Sequence, residues 1–172
     1  MEQPKDKPGF IFEPLGASHD RAVFSCGSAP LDKYLQTQAS QDVKKNLAAV
    51  FVCTTDHKTI AGYYTLSAYS VRLDIIPDEI RRKLARYPDI PASLIGRLAR
   101  SSDFRGTGLG ELLLFDACRR SLVNSRELGS WAVIVDAKDA AASAFYQKYG
   151  FIEIPETAKL FLPMATIEKM FR

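Results

Sequence analysis

The chain has 172 residues, of which 47% are hydrophobic and 25% charged, and its formal net charge is +3. This length and balance are those of one ordinary globular domain, and they exclude a disordered tail protein, a collagen and a coiled-coil rod. The longest apolar run, residues 47–53, is far shorter than the ~20 residues that cross a bilayer. Because no long apolar segment follows the N-terminal residues either, the sequence predicts a cytoplasmic protein.

The cysteine and histidine content argues against disulfides and metal. Cys26, Cys53 and Cys118 are odd in number and lack C-x-x-C spacing, which indicates buried free thiols in a reducing compartment. The only histidines are His19 and His57, and no H-E-x-x-H motif is present. We therefore expect no catalytic metal.

The first half of the chain predicts a tail followed by alternating elements. Residues 1–9 are polar with two prolines, so we expect a flexible tail before a single domain over 10–172. Apolar spacing, strand-forming runs and prolines then predict a strand at 10–12, a helix over 28–43 capped by Ser28, strands at 48–53 and 60–71, a helix at 77–86 and a rigid linker at 87–91.

The second half predicts strand–helix–strand–helix–strand order. The elements are a strand at 93–100, a glycine-rich turn at 105–110, a helix over 109–125, a fully buried strand at 131–135, a helix at 140–149 ended by Gly150, and strands at 151–154 and 160–164. This order predicts one α/β domain built around a mixed sheet.

The glycine-rich turn is the segment that points to chemistry. Its glycines allow close approach of a ligand to the backbone, and the helix behind it adds a positive dipole end, so the turn suits phosphate oxygens. A tight turn without a ligand is the alternative. The sequence Arg105 to Gly110 is neither a P-loop nor the G-x-G-x-x-G of a dinucleotide site.

Two motifs in sequence resemble one enzyme family. Residues 105–110 match R-x-x-G-x-G after an L-A-x strand, and residues 142–151 match A-x-x-F-Y-x-x-x-G-F. In this order, with a buried strand between them, they resemble the GNAT family of acetyl-CoA-dependent N-acetyltransferases. The resemblance implies a GNAT fold, an α/β fold with a mixed, mostly antiparallel sheet in which a pair of parallel central strands splays apart, flanked by helices.

Residues 24–45 and 94–99 are further similar to the GNAT toxins of bacterial toxin–antitoxin modules, so that the resemblance covers nearly the whole chain. Such toxins acetylate the α-amino group of aminoacyl-tRNA and block translation. The resemblance therefore implies acetyl-CoA as cosubstrate, tRNA as acceptor, a ribbon–helix–helix antitoxin as partner and a homodimer.

The same resemblance implies roles for single residues. Backbone N–H groups of the strand before the turn would hold the pantetheine arm and polarise the acetyl carbonyl, the turn would hold the pyrophosphate, and residues of the second motif would complete the cofactor site. Tyr146 would be the general acid that protonates the leaving sulfur. The cofactor set is Leu98, Ala99, Arg100, Arg105, Gly106, Thr107, Gly108, Leu109, Gly110, Ser143 and Phe145. With tRNA as acceptor, the basic candidates for phosphate contacts are Lys44, Lys45, Arg81, Arg82 and Arg97.

Two positions depart from the family pattern. Arg100 stands where the family strand usually carries Val, and it can face phosphates, RNA or solvent. Asp139 stands where many members have an Asn that contacts the cofactor arm, and because its carboxylate would repel phosphates we do not assign it to cofactor binding.

The sequence offers no strong general base, which bears on the acceptor. A lysine amine with a pKa near ~10.4 is almost wholly protonated at neutral pH, whereas an α-amine near ~7.7–8.0 has a useful free fraction. A site poor in bases therefore suits aminoacyl-tRNA. The alternatives are a GNAT enzyme acting on a polyamine, an antibiotic or a protein lysine, and a non-catalytic acyl-CoA-binding module.

Overall fold

The computed structural model describes residues 9–172, so all but the last residue of the expected tail at 1–9 lies outside the described residues. Strands and helices alternate along the described chain. In order they are β1 (Ile11–Pro14), α1 (Ala29–Thr37), α2 (Ala39–Lys44), β2 (Ala49–Thr54), β3 (Ile60–Arg72), α3 (Asp78–Arg81), β4 (Asp89–Arg100), α4 (Leu109–Ser125), β5 (Ala132–Asp136), α5 (Ala140–Lys148), β6 (Ile152–Glu153), β7 (Lys159–Pro163) and α6 (Met164–Met170). Short 3₁₀ turns lie at Leu73–Ile75 and Ser102–Phe104.

The strands form one sheet in the order β1-β2-β3-β4-β5-β7-β6. The pairs β1–β2, β5–β7 and β6–β7 are antiparallel, whereas the central pair β4–β5 is parallel. The β4–β5 register covers three residue pairs, from Ser93–Val133 to Ile95–Val135. This mixed sheet with helices confirms the predicted fold class.

Three predicted elements differ from those observed. The helix over 28–43 is interrupted at Gln38, and Ser28 makes no side-chain capping hydrogen bond. The helix at 77–86 is one turn long, at Asp78–Arg81. The prediction of a linker at 87–91 is wrong, because β4 already begins at Asp89. The strand can contain Pro91 because the proline uses only its carbonyl, which accepts a hydrogen bond from the Trp131 N–H.

The chain divides into two compact units, each with its own apolar core. One comprises the residues up to Thr65 with Arg97–Asp116, and the second comprises Leu66–Gly96 with Ala117–Arg172. The first core contains Phe24, Tyr34, Leu35, Ala39, Val50, Val52, Ile60, Tyr63 and Ala99. The second contains Val71, Ile76, Ile90, Ala92, Ala132, Ile134, Ile154 and Phe161. The single domain over 10–172 stays a prediction.

In the first unit, β3 and α4 approach each other closely at Gly62. A Cβ atom at this position would lie 2.7 Å from Cδ1 of Leu113 and 3.0 Å from the carbonyl oxygen of Ala99. Since the neighbouring Tyr63 packs with Ala99 in the first core, the two faces of β3 are covered by different elements. Glycine at 62 therefore sets the position of α4 on the sheet.

The predicted buried elements are present. The strand residues Ala132–Val135 are fully buried, as the continuous apolar run predicted. Of the cysteines, Cys53 and Cys118 are buried and Cys26 is half-buried, and all three are free thiols. Burial raises the pKa of Cys53 and of Cys118 to about 12. Among residues 9–172, no helix is long and apolar enough to cross a membrane.

Candidate functional site

The glycine turn presents open backbone at the start of α4. Gly106 and Gly108 have φ of +73° and +78°, the left-handed region that favours glycine. A Cβ atom added at Gly106, Gly108 or Gly110 would meet no heavy atom within 4 Å. The turn is thus bordered by free space rather than by packed side chains, which is what a phosphate-binding backbone requires.

Buried side chains and two hydrogen bonds fix the position of the turn. Leu109 and Leu113 are fully buried and anchor the first turn of α4. The Thr107 hydroxyl donates to the Phe104 carbonyl over 2.6 Å, and the Ser101 hydroxyl accepts from the Asp103 N–H over 3.3 Å. The first N–H groups of a helix have no partner within it, so α4 directs unpaired donors and a positive dipole end towards this space. These residues fit the pyrophosphate of acetyl-CoA.

The end of β4 extends past its pairing with β5. Leu98, Ala99 and Arg100 lie beyond Ile95, the last β4 residue in the register with β5. Ala99 is buried in the first core, and the Ser101 N–H donates to the Ala61 carbonyl over 2.8 Å. The Arg100 side chain has a buried Nε with no hydrogen-bond partner among the described residues. The sequence predicted a role for the backbone here, whereas the unpaired side-chain donor was not predicted.

Tyr146 differs from the other buried tyrosines in the state of its hydroxyl. The Tyr63 hydroxyl donates to the Leu31 carbonyl. The Tyr34 hydroxyl donates to the Asp42 carboxylate, and the Tyr64 hydroxyl donates to the Asp116 carboxylate. The Tyr146 hydroxyl forms no hydrogen bond to another described residue. It is also not one of the fully buried side-chain atoms without a hydrogen-bond partner, since Arg100 Nε is the only such atom in the described part of the chain.

The ring of Tyr146 is packed within α5 and against the strand that follows. It lies 5.3 Å from the ring of Phe145 and 5.4 Å from that of Phe151, and the side chain is 9% exposed. Burial, followed by the charges of Asp136 and Cys118, raises the pKa of Tyr146 to about 12. The phenol is therefore fully protonated at neutral pH and can only donate a proton.

Other residues of the second motif have local partners. The Ser143 hydroxyl donates to Glu153 over 2.8 Å, and Phe145 also contacts the Tyr149 ring at 5.2 Å. Asp139 caps α5, since its carboxylate accepts from the Ala142 N–H over 2.8 Å. This capping role agrees with leaving Asp139 out of the cofactor set. Whether Ser143 and Phe145 contact the cofactor stays a prediction.

Two basic candidates of the first unit, Arg97 and Lys45, lie near the carboxylate of Asp42. The Arg97 guanidinium stacks on the Tyr34 ring at 3.5 Å. Hydrogen bonds from Gln38 and Tyr34, followed by the charges of Arg97 and Lys45, lower the pKa of Asp42. Arg97 therefore has partners within the protein, and its predicted phosphate contact would have to use the part of the guanidinium that remains accessible.

Lys44, Arg81 and Arg82 have different surroundings. Exposed Lys44 lines a cavity of about 290 Å³ together with Arg21, and no carboxylate lines it. In the second unit Arg81 pairs with Asp78 and donates to the Asp74 carbonyl. Arg82 is exposed at the end of α3. Lys44 and Arg82 are thus the least neutralised of the three.

The histidines and two of the acidic residues already have partners within the protein. The carboxylate of Glu13 bonds both histidines, His19 over 2.8 Å and His57 over 3.0 Å. Asp116 is buried and accepts from Tyr64. Within residues 9–172 no group of three or more histidine, cysteine or acidic side chains is arranged to hold a metal ion.

Comparisons with known proteins agree with this fold. The sequence model of the family "Acetyltransferase (GNAT) domain" matches residues 46–153. A "Probable toxin TacT" from Sinorhizobium fredii is 31% identical over 170 residues, which are 93% of this chain and 94% of that protein. A "tRNA-acetylating toxin" from Mycobacterium tuberculosis is 35% identical over 149 residues, with 86% and 87% of the two chains covered.

Solved structures give the same result. AtaT complexed with acetyl-methionyl-tRNAfMet superposes with a TM-score of 0.87 at 26% identity, covering 95% of this chain and 99% of that one. A mutant AtaT toxin bound to the C-terminus of the antitoxin AtaR and acetyl-CoA superposes with a TM-score of 0.79 at 25% identity, covering 94% and 97%. Both sequence motifs and the fold thus lead to one conclusion: this chain belongs to the GNAT acetyltransferase family.

Proposed function

We propose that the protein transfers the acetyl group of acetyl-CoA to the α-amino group of an aminoacyl-tRNA and thereby blocks translation as a toxin. The observation that carries the chemistry is the hydroxyl of Tyr146, which is the only one among the described buried tyrosines without a partner in the protein. A hydroxyl with no structural bond on a packed ring is suited to donate its proton to a substrate.

In this proposal, acetyl-CoA is held by backbone N–H groups of the glycine turn and of the end of β4. The N–H groups of Arg105 to Gly110 bind the pyrophosphate, and those of Leu98 to Arg100 hold the pantetheine arm and polarise the acetyl carbonyl. The open space at the turn glycines supports the first assignment. The end of the β4–β5 register at Ile95 supports the second, because β4 groups that face β5 beyond this point have no β5 partner in the register.

The reaction needs one proton donor and a neutral amine. The amine nitrogen attacks the thioester carbonyl, so that a C–N bond forms and the C–S bond breaks. The electron pair of the C–S bond remains on sulfur, which takes the proton of Tyr146. The proton that the amine loses reprotonates the tyrosinate, directly or through water. With its pKa raised to about 12, the tyrosinate recovers that proton readily.

The acceptor is inferred from charge and from the absence of a base. An α-amine with a pKa of ~7.7–8.0 is partly neutral without help, and esterification to tRNA lowers that value further. Exposed Lys44, Lys45 and Arg82 offer phosphate contacts that are indifferent to sequence. The names of the M. tuberculosis relative and of the AtaT complex support tRNA as the acceptor.

The partners follow from the same relatives. We infer a cytoplasmic toxin that is neutralised by an antitoxin of the ribbon–helix–helix class and that assembles as a homodimer. The AtaT structure bound to the antitoxin AtaR supports an antitoxin as partner. Size-exclusion chromatography with light scattering, on the protein alone and co-expressed with the product of a neighbouring small gene, tests both.

The direct test uses labelled acetyl-CoA with a charged tRNA pool and with the same pool after deacylation. We expect label in the charged pool only, attached through the amino acid. Labelling of polyamines or protein lysines with none on charged tRNA would instead assign the protein to the small-molecule or protein acetyltransferases. Binding of acetyl-CoA without any transfer would indicate an acyl-CoA-binding module.

The basic residues are tested separately from the chemistry. Reversing the charge of Lys44 and Lys45 to Glu should weaken tRNA binding and flatten its salt dependence, by about 0.7–0.9 in the log–log slope for each phosphate that the variant no longer neutralises. Arg82→Glu should act in the same direction. Lys58→Glu, at an exposed turn, is the matched control, and an equal effect there would show that only net charge matters.

A further inference from the structure

Arg100 is a charged side chain with an unmet hydrogen-bonding requirement. Its Nε is buried and is the one buried side-chain nitrogen or oxygen in the described part of the chain found without a partner. A guanidinium stays protonated in proteins, so it cannot relieve this cost by losing its proton. A buried donor without an acceptor is destabilising, and more so when it is charged. The group therefore calls for an acceptor from outside the protein.

The pattern of the strand places Arg100 on the α4 face of the sheet. Ala99 packs with Tyr63 in the core that contains α1 and α2 residues. Gly62, next to Tyr63, faces Leu113 of α4. Because consecutive strand residues point to opposite faces, Arg100 lies on the face that α4 covers.

Arg100 also lies at the end of the sheet where α4 begins. It is the last residue of β4, and only the 3₁₀ turn Ser102–Phe104 and the glycine turn separate it from Leu109. The open space beside Gly106 and Gly108 is at this same strand end. The unpaired donor and the unpaired N–H groups of the turn thus share one face and one end of the first unit.

We propose that the Arg100 side chain is part of the donor site and that its Nε–H donates to a pyrophosphate oxygen of acetyl-CoA. This inference rests on acetyl-CoA being the donor, as proposed above. Guanidinium and phosphate form short, charge-assisted hydrogen bonds, which a valine or another apolar residue at this position would lack. The Arg100 Nε has no acceptor among the described residues, so a phosphate oxygen would displace no hydrogen bond from it.

The test measures acetyl-CoA binding by calorimetry. Arg100→Val should weaken the affinity about tenfold to a hundredfold, the loss expected for one hydrogen bond to a charged group. Arg100→Lys keeps the charge but not the Nε donor, and it should recover only part of the affinity. Arg126→Val removes an exposed arginine just after α4, and should leave the affinity unchanged.

A second measurement separates ligand binding from a structural role. Without ligand, Arg100→Val should unfold at the same or a higher temperature than the parent, because it removes a buried nitrogen that has no acceptor. With saturating acetyl-CoA, the parent should gain more thermal stability than the variant. Equal thermal gains from acetyl-CoA in the parent and in the variant would overturn the inference, because the Arg100 side chain would then contribute nothing to binding.

The phosphate assignment is tested with S-acetylpantetheine, which lacks every phosphate. Arg100→Val should bind this probe as the parent does, and an equal loss for both ligands would overturn the assignment. An unchanged affinity for acetyl-CoA combined with a raised KM for charged tRNA would place Arg100 at the acceptor RNA instead. Failure of the parent to bind acetyl-CoA at all would refute the proposed function rather than this inference.

Discussion

Replacing Tyr146 by Phe removes one hydroxyl and leaves the ring contacts with Phe145 and Phe151 in place. Since that hydroxyl bonds no described residue, we expect the free energy of unfolding to change by less than about 0.5 kcal/mol. A positioned acid is worth on the order of 10²–10⁴ in rate. The variant should therefore lose about 3–5 kcal/mol of transition-state stabilisation, at 1.36 kcal/mol per factor of ten, while it binds acetyl-CoA normally.

Tyr63→Phe is the matched control, because the same atom is removed from a tyrosine whose hydroxyl has a partner. The Tyr63 hydroxyl donates to the Leu31 carbonyl over 2.7 Å, and its side chain is fully buried. We expect a loss of about 0.5–1.5 kcal/mol in stability with turnover retained. For both variants, denaturant melts measure the free energy of unfolding, and single-turnover acetylation assays measure the rate of acetyl transfer.

The opposite pattern, with Tyr146→Phe unstable but active, would refute the inference that an unpartnered hydroxyl marks the proton donor.

The pH dependence of stability and of turnover tests the same assignment. The folded pKa of Tyr146 is raised from 10 to about 12, so its stability contribution is complete below pH 10 and is lost as pH rises towards 12. Deprotonation of Tyr146 should not lower turnover below about pH 10, whereas neutralisation of the acceptor amine should raise it between about pH 7 and 8.

Three further substitutions, with Ser28→Ala as a control for the third, test the scaffold and the donor site. Gly108→Asp, at a φ of +78°, places a carboxylate beside the proposed phosphate site and should abolish acetyl-CoA binding in calorimetry; unchanged affinity in a folded variant would contradict the assignment. Gly62→Ala puts a Cβ 2.7 Å from Leu113 and should lower the unfolding free energy by about 1–3 kcal/mol in denaturant melts, whereas a neutral result would mean that α4 can shift. Asp139→Ala removes the cap of α5 and should cost about 0.5–2 kcal/mol; Ser28→Ala, at a helix start without a capping bond, should cost little, and equal costs would refute the distinction.

Elements with local signals were predicted closely. Helix α4 has the predicted bounds, Leu109 to Ser125, because a glycine turn starts it and an apolar sequence continues it. The helix ended by Gly150 is also confirmed, and Gly150 adopts a φ of +94° as the residue after the helix. Strand Ala132–Asp136 was visible as a continuous apolar run. In each case the deciding residues are neighbours in sequence.

Features that depend on distant residues were not predicted. β4 starts at Asp89, two residues before Pro91, and the Pro91 carbonyl accepts a hydrogen bond from Trp131 far along the chain. The break at Gln38 follows no glycine or proline. Helix α6, at Met164–Met170, directly follows β7 without a loop, and the sequence offered no capping residue there, since Pro163 precedes it. Propensity alone does not decide such cases, because tertiary contacts outweigh it.

The candidate site shows the same division between motif and partner. Arg97 and Arg100 are three residues apart on one strand, and strand geometry sends them to opposite faces. Arg97 stacks on Tyr34 beside Asp42, so its charge already serves the fold. Arg100 carries a buried donor that nothing in the described chain satisfies. The sequence alone does not distinguish these two arginines. Their partners in the folded chain do, because Arg97 already has partners in the protein, whereas the Arg100 Nε has none and could take a phosphate oxygen as its acceptor.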